Sequence, residues 1–346
     1  SIHIKNIWNL FLFEQIGYLC FKWISKISQV DELKYTITSL IPARFNDSNE
    51  LIHENFNKGY DRAINEIAFL PTSKGELCKV SDAIVDLTGL SEVIGDDLFL
   101  TIVARNKNLV ENRLENKSNL IGLAGISIFG KDELKKVFAN SAFQQILTPQ
   151  LLLKILLFLK EKEYIFSDIA LLLSENNEKE LLSPSSLYFQ TSQDDKDLLT
   201  FKAVKFLHPL IDGTADKNTE FKNWLITLGV KPFSGRSFIS QHILNHSNDI
   251  DSQIKDKTNN LNFWRFVFKY ELLESEVPKL SNYYVFNTNN EPIGNITNCY
   301  LSDFYKETGE PSVQQIALDL GLSDFNFISA DYCINNSDKS KWRKLF

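Results

Sequence analysis

The chain is predicted to be an α+β protein of several modules, with helices set around a repeated antiparallel β-hairpin. Three observations predict this. One phrase recurs three times: an apolar run, a polar Ser/Thr/Asn turn, Glu, then a second apolar run. Its copies are Ile67–Glu76 leading into Leu77–Val85, Ile169–Glu178 leading into Leu181–Phe189, and Tyr283–Glu291 leading into Ile293–Leu301. Between the copies, apolar residues fall at helical three-to-four spacing, without the regular βαβ rhythm of a doubly wound sheet. Finally, 346 residues exceed the usual size of one core, so more than one module is expected.

The first element is a helix over residues 3–28. Ile7, Phe11, Gln15 and Tyr18 form one track, and Ile4, Trp8, Leu12, Ile16, Leu19 and Trp23 another. So wide an apolar sector predicts a largely buried helix. Asn9, Glu14, Gln15 and Lys22 interrupt it, which excludes a signal peptide or membrane span. Residues 33–42 read as an extended connector ending at Pro42. Asn46, Asp47 or Ser48 caps the next helix, whose apolar positions are Leu51, Ile52, Phe56, Tyr60, Ala63 and Ile64. Ser73-Lys74-Gly75 is the first hairpin's turn, with Gly75 as its structural residue.

Downstream, Gly95-Asp96-Asp97 precedes a short helix over 98–104, and the Asn-rich stretch 106–119 is expected to be a surface loop. A helix over 131–147 follows Gly130. Pro149 opens another over 149–162, at a first-turn position where its missing N–H costs nothing. Leu151, Leu152, Ile155, Leu156 and Leu159 form its core side. After the second hairpin, 203–207 is expected to be extended and ended by Pro209. A helix over 219–228 is stopped by Gly229. The phrase Phe221–Val230 has a shortened relative in Lys341–Phe346, and Trp224 and Trp342 are predicted core anchors. Helices over 237–245 and 261–273 flank a polar linker, 248–260, the expected place for flexibility or proteolysis. Modules are thus expected at 1–163, 164–275 and 276–346, the last incomplete. A chain in helical pattern at both ends and without Met reads as an excised piece of a longer polypeptide; the alternative is that modified methionines are missing from it.

Composition narrows the chemistry. Net charge of −7, with no Lys/Arg-rich run, argues against a partner bound through its phosphates. Cys20, Cys78, Cys299 and Cys333 form no CxxC pair, which fits reduced, buried thiols in a cytoplasmic protein. Gly125–Lys131 matches GxxxxGK, but Asp132 stands where a P-loop needs Ser or Thr. His242 and His246 are four apart, with Asp249 and Asp251 nearby, yet no third ligand is fixed by spacing. His208 and Asp212 could form a base and its orienter, but no nucleophile motif accompanies them. Asp96-Asp97 and Asp194-Asp195 are adjacent pairs that read as caps or solvated turns. No catalytic residue, cofactor or metal ligand is assigned. The structural residues are Gly75, Trp224, Gly229 and Trp342.

The phrase Leu70-Pro71-Thr72, Gly75 and Ser81–Ala83, with Phe221, Trp224, Leu228, Gly229 and Val230 downstream, resembles the repeat regions of sacsin-like and NO VEIN-like proteins. The later hairpins depart from the pattern: Leu173-Ser174 and Asn287-Thr288 replace Pro-Thr, and Asn replaces Gly. The resemblance implies a very large cytoplasmic chain with an Hsp90-type (GHKL) ATPase domain elsewhere. It implies that this region is a non-catalytic scaffold of chaperone or defence type. Its partners would then be other regions of the same chain or other proteins, with neither membrane nor nucleic acid. The alternative is a metal-dependent hydrolase or nuclease-like component acting on nucleic acid, built from scattered Asp and Glu with His208 or His242.

Overall fold

The computed structural model describes residues 2–42, 50–245, 248–322 and 324–346. The expected caps Asn46, Asp47 and Ser48, and His246, lie outside the described residues. The fold is mixed α+β with 55% helix and 12% strand, so helices carry most of the core and the sheets are small. The chain forms two compact units, one of residues 1–184 with 213–228, the other of 185–212 with 229–346.

α1 (Ile2–Ile24) and α2 (Glu50–Glu66) form a tight antiparallel pair. The approach rests on two glycines. A Cβ on Gly17 would lie 2.0 Å from the Phe56 carbonyl oxygen, and one on Gly59 would lie 1.8 Å from that of Glu14. Phe21 and Tyr60 are buried beyond this crossing with ring centroids 5.0 Å apart. The residues linking the helices are not extended as expected: Lys34–Leu40 is a 3-10 turn, with Ile37 and Thr38 buried.

The first hairpin pairs β1 (Leu70–Pro71) with β2 (Leu77–Cys78). Gly75 sits in its turn at φ 83°, where a side chain would be strained. A 3-10 turn at Val80–Asp82 leads to β3 (Ala83–Asp86). α3 (Leu90–Ile94) and α4 (Asp96–Val103) follow, and then β4 (Asn108–Leu109). β4 falls inside the expected surface loop, and Leu109, Val110 and Leu114 are buried there. β5 (Ser127–Phe129) completes a parallel sheet of order β4-β3-β5.

The expected single helix over 131–147 is two, α5 (Lys131–Val137) and α6 (Ser141–Ile146). Asn140 interrupts it and caps the second by accepting from Ala142 N–H. α7 (Pro149–Glu161) is capped by Thr148 and buries Leu152, Ile155, Leu156 and Leu159. The second hairpin, β6 (Leu172–Ser174) with β7 (Asn177–Leu182), carries a register shift at Leu173/Ser174. After a 3-10 turn at Pro184–Ser186, Tyr188 makes parallel bridges to Phe206 and to Lys231. α8 (Gln193–Leu198) lies between Tyr188 and Phe206 in the chain, and α9 (Pro209–Lys217) and α10 (Thr219–Leu228) between Phe206 and Lys231. Pro209 therefore opens a helix as well as ending the extended segment.

α11 (Gly235–Phe238) continues into a π-helical turn, 239–243. The expected linker 248–260 is instead mostly helical. It contains α12 (Asn248–Gln253) and the start of α13 (Lys257–Lys269), whose cap Asp256 accepts from Asn259 N–H at 2.9 Å. Asn260, the end of that linker, is completely buried. The third hairpin pairs β8 (Val285–Phe286) with β9 (Pro292–Ile293). A 3-10 turn at Ile296–Asn298 leads to β10 (Cys299–Leu301), then α14 (Val313–Asp319), β11 (Asn326–Ile328) and α15 (Lys339–Leu345). β10 and β11 are parallel.

Candidate functional site

The residues singled out for chemistry mostly have structural occupations. In the GxxxxGK stretch, Ser127–Phe129 is β5, and Gly130 N–H donates to Glu133 Oε2 at 3.1 Å at the start of α5. A carboxylate thus holds the place a phosphate would need. Lys131 lies over the rings of Tyr164 and Phe166 at 5.2 and 5.9 Å. His208 starts α9, its Nδ1 accepting from Leu210 N–H at 3.2 Å, and buried Asp212 accepts from Gln190 N–H at 3.0 Å. His242 packs on Phe238 and faces Lys202 Nζ at 3.3 Å. Among the described residues no three His, Cys, Asp or Glu side chains are grouped to hold a metal.

Asp195 is the most enzyme-like of these groups. It is buried and accepts from Lys269 Nζ at 2.9 Å, Tyr270 OH at 2.6 Å and Thr191 OH at 2.8 Å. Burial pushes its pKa up, but hydrogen bonds from Lys269, Tyr270, Thr191 and Ser192 outweigh that and hold it below the usual carboxylate range. Tyr270 in turn fills the space beside Gly235, where a Cβ would meet its ring at 2.1 Å. This network fastens α8 to α13. Burial also raises the Cys78 and Cys299 thiols to about 11, which disfavours the reactive thiolate.

Each of the four structural residues has its own local setting. Gly75 is in the first turn. Trp224 is buried on α10, stacked on Phe221, with its Nε1 donating to the Tyr164 carbonyl at 3.3 Å. Gly229 follows α10 at φ 116° and also lies against Ser185, whose Cα would be 3.5 Å from a Cβ there. Trp342 is buried on α15 with its ring stacked 4.3 Å from that of Phe268.

What the sequence did not disclose is how alike the first and third repeats are. Pro71 pairs with Leu77 and Phe286 with Pro292, so each turn spans five residues. Thr72 N–H donates to the Glu76 carbonyl at 2.8 Å, and Asn287 N–H to that of Glu291 at 3.0 Å. Gly75 N–H returns to Thr72, and Asn290 N–H to Asn287. Asn290 takes the left-handed φ of 64° that Gly75 takes in the first turn. Each turn is then tied to the later parallel strand, Ser73 N–H to the Leu109 carbonyl and Thr288 N–H to that of Phe327. The matching step to Pro71-Thr72 is therefore Phe286-Asn287, one residue earlier than the sequence comparison placed it.

Two exposed apolar faces stand out. On α1, Leu12, Ile16, Leu19 and Trp23 follow four-three-four spacing on one face and are 53, 41, 58 and 72% exposed. The expectation of a largely buried helix fails there, because the Gly17 face alone meets α2. The second face is on α14, where Val313 and Ile316 are about half exposed. Val313 also lines a groove of about 420 Å³ with Tyr300, Leu301, Asp303, Lys306 and Arg343. Arg343 grips Glu310 through two 2.6 Å bonds at its rim, and draws that carboxyl down to about 2. Among the described residues no helix is long and apolar enough to cross a membrane.

Fold and surfaces together define a mixed α+β protein built on a recurring hairpin-and-parallel-strand unit with exposed apolar faces. The chain matches no family model, no curated protein and no solved structure.

Proposed function

We propose that this chain is a structural and interaction region, itself non-catalytic, of a large cytoplasmic protein driven by an Hsp90-type ATPase domain, of chaperone or defence type. Its partners are other regions of that protein or other proteins. The observation that carries the reading is the reuse of one backbone unit with different side chains. Thr72 and Gly75 are replaced by Asn287 and Asn290, yet the turn bonds and the strand register persist. An active site depends on particular side chains, whereas a scaffold depends on shape and on faces left open for contact. The apolar rows on α1 and α14 supply such faces. Parentage in a sacsin-like or NO VEIN-like protein comes from the resemblance of the first hairpin and of the Phe221–Val230 phrase.

Thermal unfolding with and without ATP and magnesium tests the non-catalytic part. The expected melting temperature is unchanged. A rise that grows with nucleotide concentration would reveal a folded-state nucleotide site and overturn the reading.

A further inference from the structure

In the first two repeats the strand after the 3-10 turn has a parallel neighbour on both sides. β3 lies between β4 and β5, and Tyr188 lies between Phe206 and Lys231. In the third repeat β10 has β11 on one side and, among the described residues, no strand on the other. Alternation along a parallel ladder fixes which of its groups face outward. The Phe327 carbonyl accepts from Thr288 N–H, so Phe327 faces the hairpin and Asn326 and Ile328 face β10. Tyr300, opposite Phe327, therefore carries the ladder to β11. The Cys299 carbonyl and Leu301 N–H then point away from β11, and both residues line the groove. Their counterparts in the second repeat are engaged by the third strand: Lys231 N–H donates to the Leu187 carbonyl at 3.0 Å, and Phe189 N–H donates to the Lys231 carbonyl at 2.9 Å.

The two segments that fill this position share a pattern. They are Gly125-Ile-Ser-Ile-Phe129 and Gly229-Val-Lys-Pro-Phe233. Both glycines have positive φ, 88° and 116°, and lie against the serine of the preceding 3-10 turn, Ser81 and Ser185. Both phenylalanines pack on neighbouring rings, Phe129 on Phe99 of α4 at 5.0 Å and Phe233 on Phe206 at 5.5 Å. In the third repeat Thr297 stands at the serine position, and α14 occupies the place of α4 between the two parallel strands. α14 leaves Val313 and Ile316 about half exposed, and Val313 lines the groove beside that edge.

We propose that the outer edge of β10 is a strand-acceptor site for an extended peptide of the pattern Gly-(Ile/Val)-x-x-Phe, added in parallel as a third strand. Its glycine lies on Thr297, its third residue bonds the Cys299 carbonyl and Leu301 N–H, and its Phe covers α14. Main-chain bonds supply affinity, and the glycine and Phe supply selection. The inference rests on the repeat geometry and is independent of the ATPase parentage.

The test appends residues 229–236 directly after Phe346, so that tethering raises the effective concentration of the strand. Hydrogen exchange at Leu301 should slow by about tenfold or more relative to the unmodified chain. An appended sequence with its glycine changed to Val and its Phe to Ser should leave exchange unchanged. A second measurement uses Leu301→Pro, which removes the edge donor; the native tether should then give no rise in melting temperature, with circular dichroism unaltered. Unslowed Leu301 exchange with the native tether, or equal slowing by both tethers, would overturn the proposal.

Discussion

In the first repeat, Phe129 of β5 packs edge-on against Phe99 and closes α4 over the sheet. In the third, α14 stands in the same order between β10 and β11, but among the described residues no strand covers its Val313 and Ile316. The hairpins beneath them share the same turn bonds and the same tie to the later parallel strand, so the two units differ chiefly in the outer strand. The outer strand sets how much apolar surface the unit leaves exposed. A second difference lies under the hairpin. Pro71 has no N–H, whereas its counterpart Phe286 does, and the buried Tyr332 hydroxyl accepts that proton at 2.6 Å while donating to Asn260 Oδ1 at 2.6 Å. Asn260 Nδ2 in turn donates to the Ile254 and Tyr284 carbonyls. A residue change at the turn is thus balanced by a buried network that reaches into α13.

These differences can be broken in order of expected cost. Phe129→Ala should destabilise the chain by ~3–5 kcal/mol, since it empties the seal between α4 and the sheet. Trp224→Ala and Trp342→Ala should fall in the same range if both are core anchors; urea midpoints measure all three, and a near-zero change at any one removes its anchoring role. Tyr332→Phe should cost about 2–4 kcal/mol, because Phe286 N–H and Asn260 Oδ1 both lose a buried partner. A cost below that, read from the same titration, would mean that the third hairpin needs no such acceptor. Gly75→Val should cost ~1–2 kcal/mol through left-handed strain. Gly75→Asn should cost clearly less, as Asn290 already holds that conformation; equal melting temperatures for the two variants would contradict the match between the turns. Val313→Ala on α14 should change stability by less than about 0.5 kcal/mol. A larger loss would show that this face is already covered.

Much of this fold could be read from the residues, and its omissions have physical causes. The first hairpin and α10 announce themselves through local chemistry, Gly75 at a turn and Gly229 beyond a run of helical spacing. β4 and β11 could not be read that way. Each has only two or three residues and is defined by bonds to a strand far away in sequence. The stretch 248–260 misleads because Asp and Asn suit both loops and caps. Here Asp256 is a cap, while Asn260 is buried because Tyr332 and two carbonyls satisfy its amide. α1 is less buried than its apolar content predicts, because apolar residues on all sides do not say which side meets a neighbour. Of the candidate interaction site, the individual apolar residues were visible, but the vacant edge of β10 was not. An edge is a property of pairing, and among the described residues only the other two repeats have a strand at the position where β10 has none.

The crossing of α1 and α2 has a consequence for recognition. With Gly17 against the Phe56 backbone and Gly59 against that of Glu14, turning α1 about its own axis would drive a side chain into main-chain atoms. Sliding it along α2 would do the same. The azimuth of the helix is therefore locked, and the row ending in Trp23 faces outward at a fixed bearing. A binder would meet a rigid ridge already in place, with little ordering entropy left to lose on contact.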